Sequence, residues 1–175
     1  MSTRFGIGYD AHPFEDGGRL VLAGVEVAFD RGLSGHSDGD VATHAIIDAL
    51  LGAAALGDIG TRFPPDDPAM PEGDPSVPEG ISSIVLLERT AALVRDAGWL
   101  IENVDATIVA ERPHLAEHVT AMRSAIAAAL GTDAGRVSIK ATSEDGMGFS
   151  GSGEGISAIA VASITSAAGT SATGR

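Results

Sequence analysis

Two short clusters of metal-ligand residue types, well apart in the chain, set the tightest condition on how this sequence folds. The first is Asp10-Ala-His12, closing the opening segment Arg4-Phe-Gly-Ile-Gly-Tyr-Asp10; the second is His36-Ser-Asp-Gly-Asp-Val-Ala-Thr-His44. Asp10 and His12 are two apart, so on an extended chain both side chains leave the same face. His44 opens an apolar helical pattern. Two histidines and one carboxylate with a fourth position open is the arrangement catalytic zinc uses. A third ligand from a helix end could complete such a site with Asp10 and His12.

The rest of the composition says what surrounds such a site. The chain has 175 residues, enough for one domain with its own core. Only 4% of residues are aromatic against 44% hydrophobic, so that core is built from Ala, Val, Ile and Leu. With no cysteine, disulfides and thiolate ligands are excluded. No basic-then-apolar leader opens the chain, and the apolar run from Ile46 to Leu56 is too short to span a bilayer, so a soluble cytoplasmic protein is expected. A net charge of −13 argues against nonspecific nucleic-acid binding. An acidic protein that handles phosphates must use metal ions, backbone N–H groups and hydroxyls instead of a basic field.

Residues 4–10 read as a first strand ended by His12-Pro13, and Leu20 to Val27 as an extended hairpin arm after Asp16-Gly-Gly18. Ser37-Asp-Gly-Asp40 matches a capping box for a helix to about Ala55, ended by Gly57. The Pro-rich stretch 58–80 reads as a long loop. Helices are predicted over about Ser82–Ala97 and Glu117–Leu130, and strands over Trp99–Glu111, Arg136–Ala141 and Gly155–Thr165. The last strand is apolar on both faces and should be central. Residues 1–165 form the domain, and 166–175 a flexible tail.

Each candidate group has a plain structural reading beside the chemical one. Gly6-Ile-Gly8-Tyr-Asp-Ala11 fits a loose dinucleotide fingerprint, but His12-Pro13 follows where a helix would have to begin. Asp40, His44 and Asp48 form a helical stripe that reads either as a solvated face or as a ligand with a carboxylate orienting it. Ser37 is a helix cap or a phosphate contact. Asp58 and Gly60 are a post-helix turn, or a hydroxyl acceptor with a close backbone approach. Thr142 and Ser143 are turn residues or phosphate donors, with Asp145 able to share a divalent cation with that phosphate.

Taken in order, Asp10-x-His12, Gly35-His-Ser-Asp-Gly-Asp-Val41, His44-Ala45, the block Asp48 to Gly60 and Gly148-Phe-x-Gly-x-Gly-Glu-Gly155 resemble the 2-C-methyl-D-erythritol 2,4-cyclodiphosphate synthase family. The resemblance runs from residue 4 to about 165. It implies an α+β, α/β sandwich-like single domain, with a mixed, mostly four-stranded sheet, helices on one face, and a homotrimer with sites between subunits. It implies ring closure of 4-diphosphocytidyl-2-C-methyl-D-erythritol 2-phosphate with release of CMP, the fifth step of the non-mevalonate isoprenoid pathway. Asp10, His12 and His44 would hold Zn²⁺, and Asp145 a second divalent cation, Mg²⁺ or Mn²⁺. His36 and Ser37 would touch the substrate near its phosphates, Asp58 and Gly60 the erythritol, Thr142 and Ser143 the diphosphate. Phe149 and the backbone around Ala110 and Pro113 would complete the substrate site, with cytosine in the latter pocket. The chain carries His114 where the family often has Lys, Asp145 where Glu is usual, and Ser152 where Arg is frequent.

Two rivals stay open. A metal-dependent phosphohydrolase would use the same ligands to activate water, and a trimeric isoprenoid-binding scaffold would keep only a relict site.

Overall fold

The computed structural model describes residues 1–35, 37–64 and 81–167. In chain order the strands are β1 (Thr3–Asp16), β2 (Leu20–Leu22), β3 (Val25–Val27), β4 (Arg31–Leu33), β5 (Trp99–Val109), β6 (Val137–Thr142) and β7 (Gly155–Ser166). The helices are α1 (Val41–Ala54), α2 (Ile59–Arg62), α3 (Ser83–Asp96), α4 (Val119–Leu130) and α5 (Gly148–Gly151). The main sheet runs β4-β1-β7-β5-β6, antiparallel except for the parallel β5–β6 pair, and β2 and β3 form a separate hairpin. The mixed sheet is therefore five-stranded, not mostly four-stranded. The extra member is the three-residue β4, which pairs with β1 at Phe14 to Asp16.

That pairing exists because β1 continues past the expected stop at His12-Pro13. Proline has no N–H to give a ladder and is tolerated at its margin. Pro13 occupies the last β1–β7 rung, opposite Gly155, while its carbonyl accepts from Ser34 N–H. At the other end, Ser166 still belongs to β7 and Ala167 N–H donates to the Gly98 carbonyl. Regular pairing thus passes the expected boundary at 165, and residues 168–175 lie outside those described.

α1 explains the depth of the core. Twelve of its fourteen residues are buried, so it is apolar all round. It lies on β1 and β7 on one side and meets α3 on the other. Each of Ile46, Ile47, Leu50 and Leu51 is fully buried, a burial that stabilises by about 1.5–3 kcal/mol per side chain. α3 and α4 complete the helical layer over β5 and β6.

Only Gly6 and Gly8 allow α1 this close. A Cβ at Gly6 would lie 2.0 Å from the Ala49 carbonyl oxygen, and one at Gly8 2.0 Å from that of Ala45. The Gly-x-Gly of the false dinucleotide fingerprint is a helix-docking groove.

β7 is central, as its apolar pattern predicts, but the helices cover one face. Ile156, Ala158, Ala160, Ala162 and Ile164 are buried, whereas Ile159 and Val161 face outward beside Phe5, Ile7 and Tyr9 of β1. Phe5 and Ile7 are each 72% exposed in the single chain. Among the described residues no helix is long and apolar enough to cross a membrane.

Candidate metal centre

The alternation that sends Gly6 and Gly8 towards α1 also sends Asp10 and His12 there. His44, in the first turn of α1, meets them. Asp10, His12 and His44 are the group of potential metal ligands that the described residues bring together. His12 Nε2 lies 2.8 Å from Asp10 Oδ2, His44 Nδ1 lies 3.0 Å from the same oxygen, and the two nitrogens are 3.3 Å apart. Zinc–ligand bonds of about 2.0–2.1 Å in a tetrahedron put neighbouring donors about 3.3 Å apart. The triangle is that of one tetrahedral face, slightly contracted.

Hydrogen bonding says what belongs at its centre. The His12 Nδ1–H donates to the Ser34 carbonyl, so the neutral ring turns a bare Nε2 towards Asp10. Lone pairs meeting a carboxylate repel unless a proton or a cation lies between them. The donor set therefore fits a divalent ion. Without one, the His12–Asp10 hydrogen bond raises the His12 imidazole above its ordinary 6.5, against the lowering effect of burial. Burial pushes the Asp10 carboxyl up, but hydrogen bonds and charge from His12 and His44 outweigh it and hold it well below the ordinary carboxylate range.

The loop before α1 departs from the capping-box reading. Asp40, not Ser37, is the N-cap, and it is fully buried. Its carboxylate accepts from Thr43 N–H at 3.0 Å, Thr43 Oγ1 at 2.6 Å, and Ala23 and Gly24 N–H at 2.7 Å each. One aspartate thus pins the β2–β3 hairpin turn to the helix that carries His44. Ser37 instead places its hydroxyl 3.0 Å from His44 Nε2. His36 lies outside the described residues.

Asp48 does not orient His44. Its carboxylate turns away to accept from Ile59 N–H at 2.8 Å, satisfying an otherwise orphan donor at the start of α2. That bond fixes the turn bearing Asp58 and Gly60. Asp58 caps α2, accepting from Thr61 N–H at 2.8 Å, and this backbone hydrogen bond lowers its pKa. A Cβ at Gly60 would meet nothing closer than Asp58 Oδ1 at 3.6 Å, so packing alone does not demand glycine there. The helix itself ends at Ala55 in a left-handed conformation, two residues before Gly57.

The second group of predicted residues lies across the sheet. Ala110, Pro113, Thr142 and Ser143 line one cavity of about 290 Å³ at the ends of β5 and β6. Asp10, Ala158, Ile108 and Ala141 stand on one cross-strand row, so three strand spacings put the metal corner and this cavity about 14 Å apart in one chain. Asp145 sits beyond it at φ +50°, exposed, accepting from Ser143 Oγ at 3.3 Å, and is not within the metal cluster. Lys140, the chain's one lysine, is held by Asp105 at 2.6 Å, so it brings no free charge to the cavity. Phe149 is 37% exposed, and its ring rests on Gly155, where a Cβ would lie 2.3 Å from Phe149 Cζ and 2.2 Å from the His12 carbonyl oxygen.

Ser83 and Asp38 escaped the sequence reading. Ser83 Oγ lies 2.9 Å from His44 Nε2, and Asp38 takes both the backbone N–H and the hydroxyl of Ser83. A serine at a helix start reads only as a cap, and no spacing rule joins it to a histidine 39 residues away.

The described residues thus form a one-domain α+β fold that gathers two histidines and an aspartate at a corner able to hold a metal ion, with a separate cavity at the ends of β5 and β6. The chain belongs to the YgbB family, whose model matches residues 3–165. Among relatives, the 2-C-methyl-D-erythritol 2,4-cyclodiphosphate synthase of Symbiobacterium thermophilum is 54% identical over 159 residues, covering 91% of this chain and 96% of that protein. The bifunctional IspDF of Campylobacter jejuni superposes with a TM-score of 0.85 at 36% identity, over 94% of this chain and 42% of that one. The CDP complex of IspF from Plasmodium falciparum gives a TM-score of 0.79 at 27% identity, over 95% and 97% of the two chains.

Proposed function

We propose that the chain is a 2-C-methyl-D-erythritol 2,4-cyclodiphosphate synthase acting on 4-diphosphocytidyl-2-C-methyl-D-erythritol 2-phosphate. The convergence of Asp10, His12 and His44 within hydrogen-bonding distance of one point carries the reading. It is supported by the family match and by relatives of about half identity that bear this name.

A 2-phosphate oxygen attacks the β-phosphorus, the bond from that phosphorus to the bridging oxygen breaks, and the electron pair leaves with CMP. The protein supplies no nucleophile, so its task is to hold two phosphates close and in line. Asp10, His12 and His44 would hold zinc, which when bound neutralises phosphoryl charge as a Lewis acid. That role suits a chain of net charge −13 whose lysine is already paired. Ser37 and His36 would touch the substrate near its phosphates, and Asp58 and Gly60 would receive the erythritol. Thr142 and Ser143 offer hydroxyls to the diphosphate, Phe149 closes the site, and Asp145 would take a second divalent ion, Mg²⁺ or Mn²⁺. The cavity at Ala110 and Pro113 takes the cytosine, a placement supported by the CDP complex of the Plasmodium relative.

The separation of about 14 Å between corner and cavity suits a site completed by a neighbouring copy. The uncovered apolar face of β1 and β7 supplies the surface for a homotrimer.

Product analysis tests the reaction. Incubation of the metal-loaded protein with the diphosphocytidyl substrate is expected to give CMP and the cyclic diphosphate in equal amounts. An open-chain hydrolysis product would move the protein to the phosphohydrolases.

A further inference from the structure

The second ring nitrogen of His44 is enclosed by two serines, and the protons in that enclosure can be assigned one by one. Ser83 is fully buried as the first residue of α3. Its backbone N–H donates to Asp38 Oδ2 at 2.9 Å, and its hydroxyl meets Asp38 Oδ1. An ionised carboxylate only accepts, so the Ser83 hydroxyl proton belongs to Asp38. Ser83 Oγ then has nothing but lone pairs to offer His44 Nε2, 2.9 Å away. The imidazole must carry its proton on Nε2, which leaves Nδ1 bare and directed at Asp10 and His12.

From this we infer that Ser83, locked by Asp38, is a positioning residue that fixes the tautomer and ring angle of His44 for metal binding. The inference deepens the metal reading above and rests on it. Helix capping does not account for the residue: the N-cap is Ser82, which makes no side-chain cap bond, and the Ser83 hydroxyl points to Asp38 and His44. Ser37 Oγ shares the Nε2–H at 3.0 Å and accepts from Gly39 N–H at 3.3 Å, and its own proton has Ser83 Oγ as an acceptor 3.4 Å away. The same relay ties the start of α3 to Asp38 ahead of α1, so the seating of that helix reaches the candidate metal corner through a single hydroxyl.

Cobalt(II) titration of the metal-depleted full-length chain tests this, with affinity read by chelator competition and geometry by the d–d absorption bands. Ser83→Ala is expected to bind cobalt roughly 10–100-fold more weakly, the usual cost of losing such an orienting partner, and to shift the bands. Ser83→Thr, which keeps the hydroxyl, should restore both. Wild-type affinity and bands in Ser83→Ala would overturn the inference while leaving the metal corner intact. Should Ser83→Ala not fold, Asp38→Ala is read in the same way, because it frees the Ser83 proton without removing the hydroxyl. Wild-type protein that takes up no cobalt would overturn the metal reading itself, before any variant is compared.

Discussion

At the scale of single residues, the proposed metal would compete with a proton for one corner. His12 gains stability from Asp10 as the imidazolium, and its pKa is raised in the metal-free chain. That contribution is present in full below about pH 6.5 and is lost as pH rises through the raised value. Zinc needs the neutral ring, so its stabilisation grows over the same rise. The melting temperature gained on adding zinc should therefore increase from about pH 6 to about pH 8, while in chelator this pair's contribution declines. Melts with and without chelator across that range check it, and a pH-independent gain would contradict it. His44→Ala is expected to lose metal uptake and turnover together, read by metal content and product formation, with the fold retained in circular dichroism.

At the scale of elements, much was legible, and the errors share a cause. Five of the six longest elements fell within a few residues of expectation, because apolar period and flanking glycines mark them: Gly98 and Gly131 follow α3 and α4 with positive φ. β1 ran long because Pro13 could sit at a ladder's margin, which depends on a partner strand that local sequence does not reveal. For the same reason Ser37, a cap or a phosphate contact by sequence, does not cap α1, and Asp48, part of a solvated face or a ligand's orienter by sequence, holds Ile59 N–H instead. Short-range spacing names which groups lie on one face but not where a carboxylate finds its donor. The convergence of Asp10, His12 and His44 was legible through the resemblance, since residue types alone also offered His36 and Asp58; Asp38 and Ser83 were not, because nothing distinguishes them locally. The docking of α1 on Gly6 and Gly8 gives a sharp test. Gly8→Ala sets a Cβ against helix backbone and should cost about 3 kcal/mol in urea unfolding, with weaker metal binding because His44 is displaced. An unchanged midpoint would mean that α1 does not need the close approach.

At the scale of the whole molecule, one sheet face is covered by helices and the other presents Phe5, Ile7, Tyr9, Ile159 and Val161. The apolar pattern of β7 announced a central strand, but only the assembled sheet reveals that its outer half is left uncovered in the single chain. Ile7→Glu should shift the assembly towards monomer in sedimentation while each chain still binds its metal. Turnover should fall with assembly if corner and cavity are joined across copies. A fully active monomer would contradict the shared site. Zinc-edge X-ray absorption on the loaded wild-type protein reads the coordination of the ion directly. The expected result is a four-coordinate shell of two imidazole nitrogens and two oxygens at about 2.0 Å; a six-coordinate all-oxygen shell, or no bound zinc, would contradict it.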